Sequence, residues 1–199
     1  VKRYTMITII ISLLCFAVAY AMMRFGRTHV ASLSAASFLV VALGLLYTLA
    51  SFFGFEPGVE SYGIVFGLTI IVYLISKLAV LGLWTAYWIT GVVLLTVFSA
   101  ASILNGGTTF VSTTSVAIVF FGTLLAAFLT RKQAKAILAG IYAGIAAANG
   151  VVVLLFTFLG VESLVTAAFI GSLLIVAAPV AGIIFQLRLA RTTPVQEAV

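Results

Sequence analysis

Read from its first residue, the chain is a succession of long apolar runs separated by short polar or turn-forming breaks. Runs over about residues 5–23, 30–53, 62–80, 83–103, 115–130, 136–158 and 164–187 approach or exceed the roughly 20 residues that carry a helix across a hydrocarbon core about 30 Å thick. Between them stand RFGRTH at 24–29, FEPGVES at 55–61, LNGGTTFVSTT at 104–114, RKQAK at 131–135 and GVES at 160–163. The runs are continuous rather than alternating, which predicts helices and not barrel strands. The expected fold is all-α: a polytopic transmembrane bundle of seven spans, in one domain covering residues 1–199, with successive helices antiparallel.

The weakest break lies between the third and fourth runs, where Lys77 is the only charge from Tyr62 to Ile103. A single helix of those 42 residues would be about 63 Å long at 1.5 Å per residue, twice what a bilayer needs. Two helices are therefore expected, with the turn near LGL at 81–83 and Lys77 about one turn from the boundary, its stem long enough to carry the ammonium to the headgroups.

The stretch LYTLASFFGFEPGVES at 46–61 is answered by LFTFLGVES at 155–163. In both, a basic loop leads into a span, then a Leu-aromatic-Thr group, then a Gly-hydrophobic-Glu turn. Spans one to three (about 5–80) and five to seven (about 115–187) thus read as a parallel three-helix repeat. Span four (about 83–103) is the inverting linker, and residues 188–199 form a short cytoplasmic tail. This three-one-three layout resembles, in topology, that of the SWEET-type sugar carriers, and the resemblance implies a carrier. The motifs depart from that family: Pro57 and Pro194 lie in a loop and the tail, only Pro179 lies in a span, and no Pro-Gln pair occurs, so no site residue is carried over. Microbial rhodopsins also have seven spans, but their retinal requires a lysine in the last one, and 164–187 contains none.

Composition agrees with the pattern. Apolar residues make up 64% of the chain and charged residues 7%, against about 25% charged in soluble domains. The net charge of +6 is spread over short loops, where it reads as a topology signal and not as a nucleic-acid surface. With the N-terminus outside and the C-terminus inside, Arg24, Arg27, Lys77, Arg131, Lys132, Lys135, Arg188 and Arg191 fall on the cytoplasmic side, and only Lys2 and Arg3 fall outside. Taking the first span as a signal peptide cleaved near Ala17-Val18-Ala19 would reverse the loops and export most of those basic residues. The expected location is a prokaryotic cell membrane, as a multi-pass protein.

Candidate chemistry is sparse. The spans as read contain no Asp, Glu, His or Arg, so paired carboxylates, a metal triad or a nucleophile with its base are not expected, and the chain is read as no enzyme, without cofactor or metal. Cys15 is the lone cysteine and His29 the lone histidine, a loop residue. The candidate solute path is Asn149, the only carboxamide read at depth, with Trp88 as a packing or stacking residue and Lys77 as a cation. Pro179 is a candidate hinge because it removes a mid-span donor. Gly140, Gly144 and Ala148 form a small-residue stripe for helix packing, with similar pairs at Ala17/Ala21, Gly63/Gly67 and Ala178/Gly182. The leading expectation is a carrier for an uncharged or weakly polar solute. The alternative is a noncatalytic subunit or assembly factor, with another membrane protein or a second copy as partner.

Overall fold

The computed structural model describes residues 2–104, 106–159 and 164–192. Among them the chain forms seven α-helices and no strand: α1 (Lys2–Phe25), α2 (Val30–Phe53), α3 (Val59–Lys77), α4 (Ala79–Leu104), α5 (Thr113–Leu129), α6 (Ala134–Leu159) and α7 (Leu164–Thr192). Each apolar run corresponds to one helix. Five helices contain stretches long and apolar enough to cross a membrane: Thr5–Phe25, Val30–Ser51, Val59–Lys77, Arg131–Phe158 and Leu173–Ala190. This is a membrane protein. Helix α5, with 17 residues, lies at the lower limit of about 17 for a span.

The ends follow local chemistry. Gly54 closes α2 at φ +71°, with its N–H on the Ala50 carbonyl at 2.9 Å, a left-handed cap that glycine adopts without Cβ strain. Glu60 lies in the first turn of α3, where a carboxylate complements the helix dipole. Ser112 and Ser115 cap α5 reciprocally, each hydroxyl accepting the other's backbone N–H, at 3.1 and 2.9 Å. A 3₁₀ turn, Arg131–Gln133, leads into α6.

Two boundaries differ from the sequence reading. The third helix ends at Lys77 and the fourth begins at Ala79, so the break is the single residue Leu78 (φ −94°, ψ +82°) and not LGL at 81–83. Gly82 is already helical and serves as a contact: a Cβ there would stand 3.3 Å from the Ser76 Cα and 3.0 Å from Leu138 Cδ2. Helix α7 continues to Thr192, beyond the expected end at 187, because Arg, Leu and Ala are good helix formers outside the apolar layer as well as inside it.

Helix α6 is the axis of the bundle. It packs most extensively on α7 and also along α1, α2 and α4. Its apolar stretch is two-thirds buried, whereas that of α3 is 11% buried. Helix α4 meets α6 through Ala79, Leu83, Trp84, Ala86 and Tyr87, around a core of Leu83, Ala127, Ala134, Ile137 and Ile141. Farther along, Gly91 of α4 faces Val119 and Thr123 of α5. The C-terminal part of α2 and the N-terminal part of α3 are joined by the Tyr47 and Tyr62 hydroxyls, 2.6 Å apart. As for the three-helix repeat, α1 packs along both α2 and α6, while its expected counterpart α5 makes its extensive contact with α4. The second copy of the repeated phrase runs into 160–163, outside the described residues.

Candidate functional site

In a membrane the apolar effect does not bring helices together, so close packing and internal hydrogen bonds must. Helix α1 shows how. Its buried face is Thr8, Ser12, Cys15, Ala19 and Met22, all at most 7% exposed, while Met6, Leu13 and Tyr20 on other faces are more than 60% exposed. The spacing of 4, 3, 4 and 3 residues holds this stripe on one side of a helix.

The stripe is matched by α6. The Ser12 hydroxyl donates to the Gly150 carbonyl at 2.7 Å, and the Asn149 Nδ2 donates to Cys15 Sγ at 3.4 Å. The Thr157 hydroxyl is shared between the Val153 carbonyl at 2.7 Å and the Thr8 oxygen at 3.1 Å. From α2, Ser37 donates to the Tyr142 carbonyl at 3.0 Å. At the other end of the stripe Gln186 of α7, fully buried, donates its amide to the Met22 and Met23 carbonyls at 3.1 and 2.9 Å. Those two carbonyls belong to the last turn of α1, where free backbone acceptors become available; that of Met22 also accepts the Gly26 N–H at 2.9 Å. Gln186 Oε1, Ser34 Oγ and Trp84 Nε1 are buried without a hydrogen-bond partner among the described residues.

The residues singled out from sequence are distributed as follows. Asn149 is 6% exposed and faces α1 and α2; Gly44 makes room for it, since a Cβ on Gly44 would lie 2.6 Å from its Nδ2. Trp88 is half-buried on α4, edge-on to Phe120 of α5 at 5.3 Å, and Trp84 meets the same ring at the same distance. Lys77 ends α3, exposed, with its ammonium 5.1 Å above the Tyr73 ring. Among the described residues these three therefore lie against different neighbours. Gly140 and Gly144 lie against α7: a Cβ on Gly140 would stand 2.6 Å from the Ile183 nitrogen, and one on Gly144 would overlap the Pro179 nitrogen and the Ala178 carbonyl carbon. Ala148 is buried farther along α6. Pro179 is inside α7, which continues through it as one helix, and its nitrogen, bearing no hydrogen, is the atom that Gly144 approaches. A Cβ on Gly63 or Gly67 would meet nothing within 4 Å beyond its own helix.

Sequence reasoning treated Asn149 as the only deep carboxamide; Gln186 is a second. Its signal was its place two residues inside the first basic residue of the tail, Arg188, within the last apolar run.

One further feature carried no sequence signal. A cavity of about 250 Å³ lies between α2 and α6, walled by Leu45, Leu49 and Phe53 on one side and Val152, Val153 and Phe156 on the other. Thr48 also lines it, but its hydroxyl is turned to the Gly44 carbonyl at 2.8 Å. Both copies of the repeated phrase border this space, through Thr48, Leu49 and Phe53 in one and Phe156 in the other. No family model, curated protein or solved structure matches the chain.

Proposed function

We propose that the chain is a seven-span, noncatalytic subunit or assembly factor of a larger membrane complex, with its N-terminus outside and its C-terminus inside. The observation that carries this reading is the use of the deep polar groups. Asn149, Ser12, Ser37 and Gln186 each reach a neighbouring helix, and Asn149, Trp88 and Lys77 stay apart. A polar solute crossing the bundle needs several convergent donors and acceptors facing one space, and those groups are occupied in holding helices together.

The orientation draws support from one end of the bundle. Gly26 lies against Ala139, Gln186 on Met22 and Met23, and Gly82 against Leu138. These contacts gather the helix ends near Arg24, Arg27, Lys77, Arg131, Lys132, Lys135 and Arg188, the set that the positive-inside rule retains in the cytoplasm.

The test is mild affinity purification from native membranes followed by mass spectrometry. A stoichiometric protein partner is expected; recovery as a stable monomer with no companion protein overturns the proposal. The second reading, a carrier for an uncharged or weakly polar solute, is favoured by the cavity between α2 and α6. It requires uptake into proteoliposomes that a substitution filling the cavity, Leu49→Trp, abolishes.

A further inference from the structure

The cavity between α2 and α6 has a definite origin. These helices run side by side and are in close contact around Ser37 and Gly44, where Ser37 reaches the Tyr142 backbone and Gly44 presents no side chain to Asn149 and Val153. Beyond Gly44 the facing residues are Leu45, Leu49 and Phe53 against Val152, Val153 and Phe156. These side chains enclose the space, and Ile11 of α1 approaches Gly44 at its end. Leu45 and Leu49 are each 48% exposed and Phe53 is 69% exposed, so the space opens sideways, toward the membrane.

We propose that this cavity holds one hydrocarbon chain, the tail of a bilayer lipid. Three properties select that occupant. The lining offers no hydrogen-bonding group, because the only hydroxyl, Thr48, is bonded to its own helix; a polar solute would leave its donors and acceptors unpaired there. The volume of about 250 Å³ is too small for a protein helix, of which two turns of a cylinder 10 Å wide fill roughly 800 Å³. Finally, the cavity lies along stretches of α2 and α6 apolar enough to cross a membrane, where the surrounding solvent is itself lipid tail. A tail already in the bilayer gains nothing from leaving water. What holds it is dispersion contact with walls that otherwise face a void, which makes retention depend on shape. The inference rests on the membrane placement of α2 and α6 and is independent of whether the protein works as a subunit or a carrier.

The experiment reconstitutes the full chain into phosphatidylcholine vesicles doped with a phosphatidylcholine bearing a photoactivatable diazirine in one acyl chain, then maps adducts by mass spectrometry. Adducts are expected to concentrate on α2 residues 45–53 and α6 residues 152–156, and to fall roughly tenfold, the loss of one packed binding mode, in Leu49→Trp, which fills the space from a half-exposed position. Val152→Phe is the second filling variant, and circular dichroism on both establishes that the helices persist. Labelling spread evenly over outward residues such as Ile70 and Phe121, and unchanged by either variant, overturns the proposal. So does labelling of the cavity by a free diazirine-bearing long-chain alcohol but not by the lipid, which would identify a soluble apolar ligand instead.

Discussion

Gly144 and Gly67 occupy the same i, i+4 glycine pattern, yet a methyl group has opposite consequences at the two positions. At Gly144 it meets the α7 backbone at Ala178 and Pro179; at Gly67 it meets open space. Overpacking between two backbones cannot be relieved by a rotamer change, so Gly144→Val should cost about 1–3 kcal/mol or more and lower the thermal midpoint in detergent by roughly 5–10 °C. Gly67→Val should leave it nearly unchanged. The buried carboxamides separate in a similar way. Asn149→Ala removes one weak N–H···S contact and should cost about 1 kcal/mol or less, whereas Asn149→Asp places a charge at depth, at about 2.5–3.5 kcal/mol. Gln186→Leu gives up two bonds to α1 carbonyls but also removes the unpartnered Oε1. Gln186→Glu turns an acceptor toward two acceptors and should be the more damaging variant, by roughly 3–5 kcal/mol. Denaturation midpoints of the four proteins measured side by side check both orderings.

At the scale of elements, the helices were legible because a bilayer leaves so little choice: every backbone group must be bonded within its own segment, and about 20 apolar residues are needed to do it. The α3–α4 corner was misplaced because Leu78 is a one-residue break with no polar or turn signature, while the nearby Gly82 imitates one. Gly82 in fact lets the start of α4 lie on Ser76 and Leu138, so Gly82→Leu should weaken the corner more than Leu78→Ala does, measurable as faster proteolysis there. The small-residue stripe on α6 could be read, but its partner could not, since α2, α3 and α7 all offer small residues at helical spacing. Gln186 was overlooked because it stands next to the basic tail, where a polar residue raises no question. The cavity had no signal at all: Leu, Val and Phe look the same in a sequence whether they face lipid, protein or a gap.

For the whole molecule, the arrangement of ends makes the orientation testable. In a Cys15→Ala background, a cysteine at Glu56 should react with an impermeant maleimide on intact cells, and one at Lys132 only after permeabilisation; the reverse pattern would invert the protein. Cys15 itself, fully buried, should stay unlabelled in both conditions until the bundle is denatured. The polar seam of α1 also bears on how the protein comes to exist. Its partners on α6 and α7 lie 134 to 164 residues later in the chain, which at a synthesis rate of about 5–20 residues per second means a wait of roughly 7–33 s. During that interval α1 is in or beside the bilayer with its inner face unmatched. Ser and Thr can bridge the wait by bonding carbonyls of their own helix, as Thr8 does with Thr5, and a thiol loses little in lipid. A carboxamide has no such refuge, and the two buried among the described residues, Asn149 and Gln186, belong to the two helices made last, which emerge when α1 is already there to receive them. The order in which polar groups appear along the chain thus matches the order in which a ribosome can provide for them.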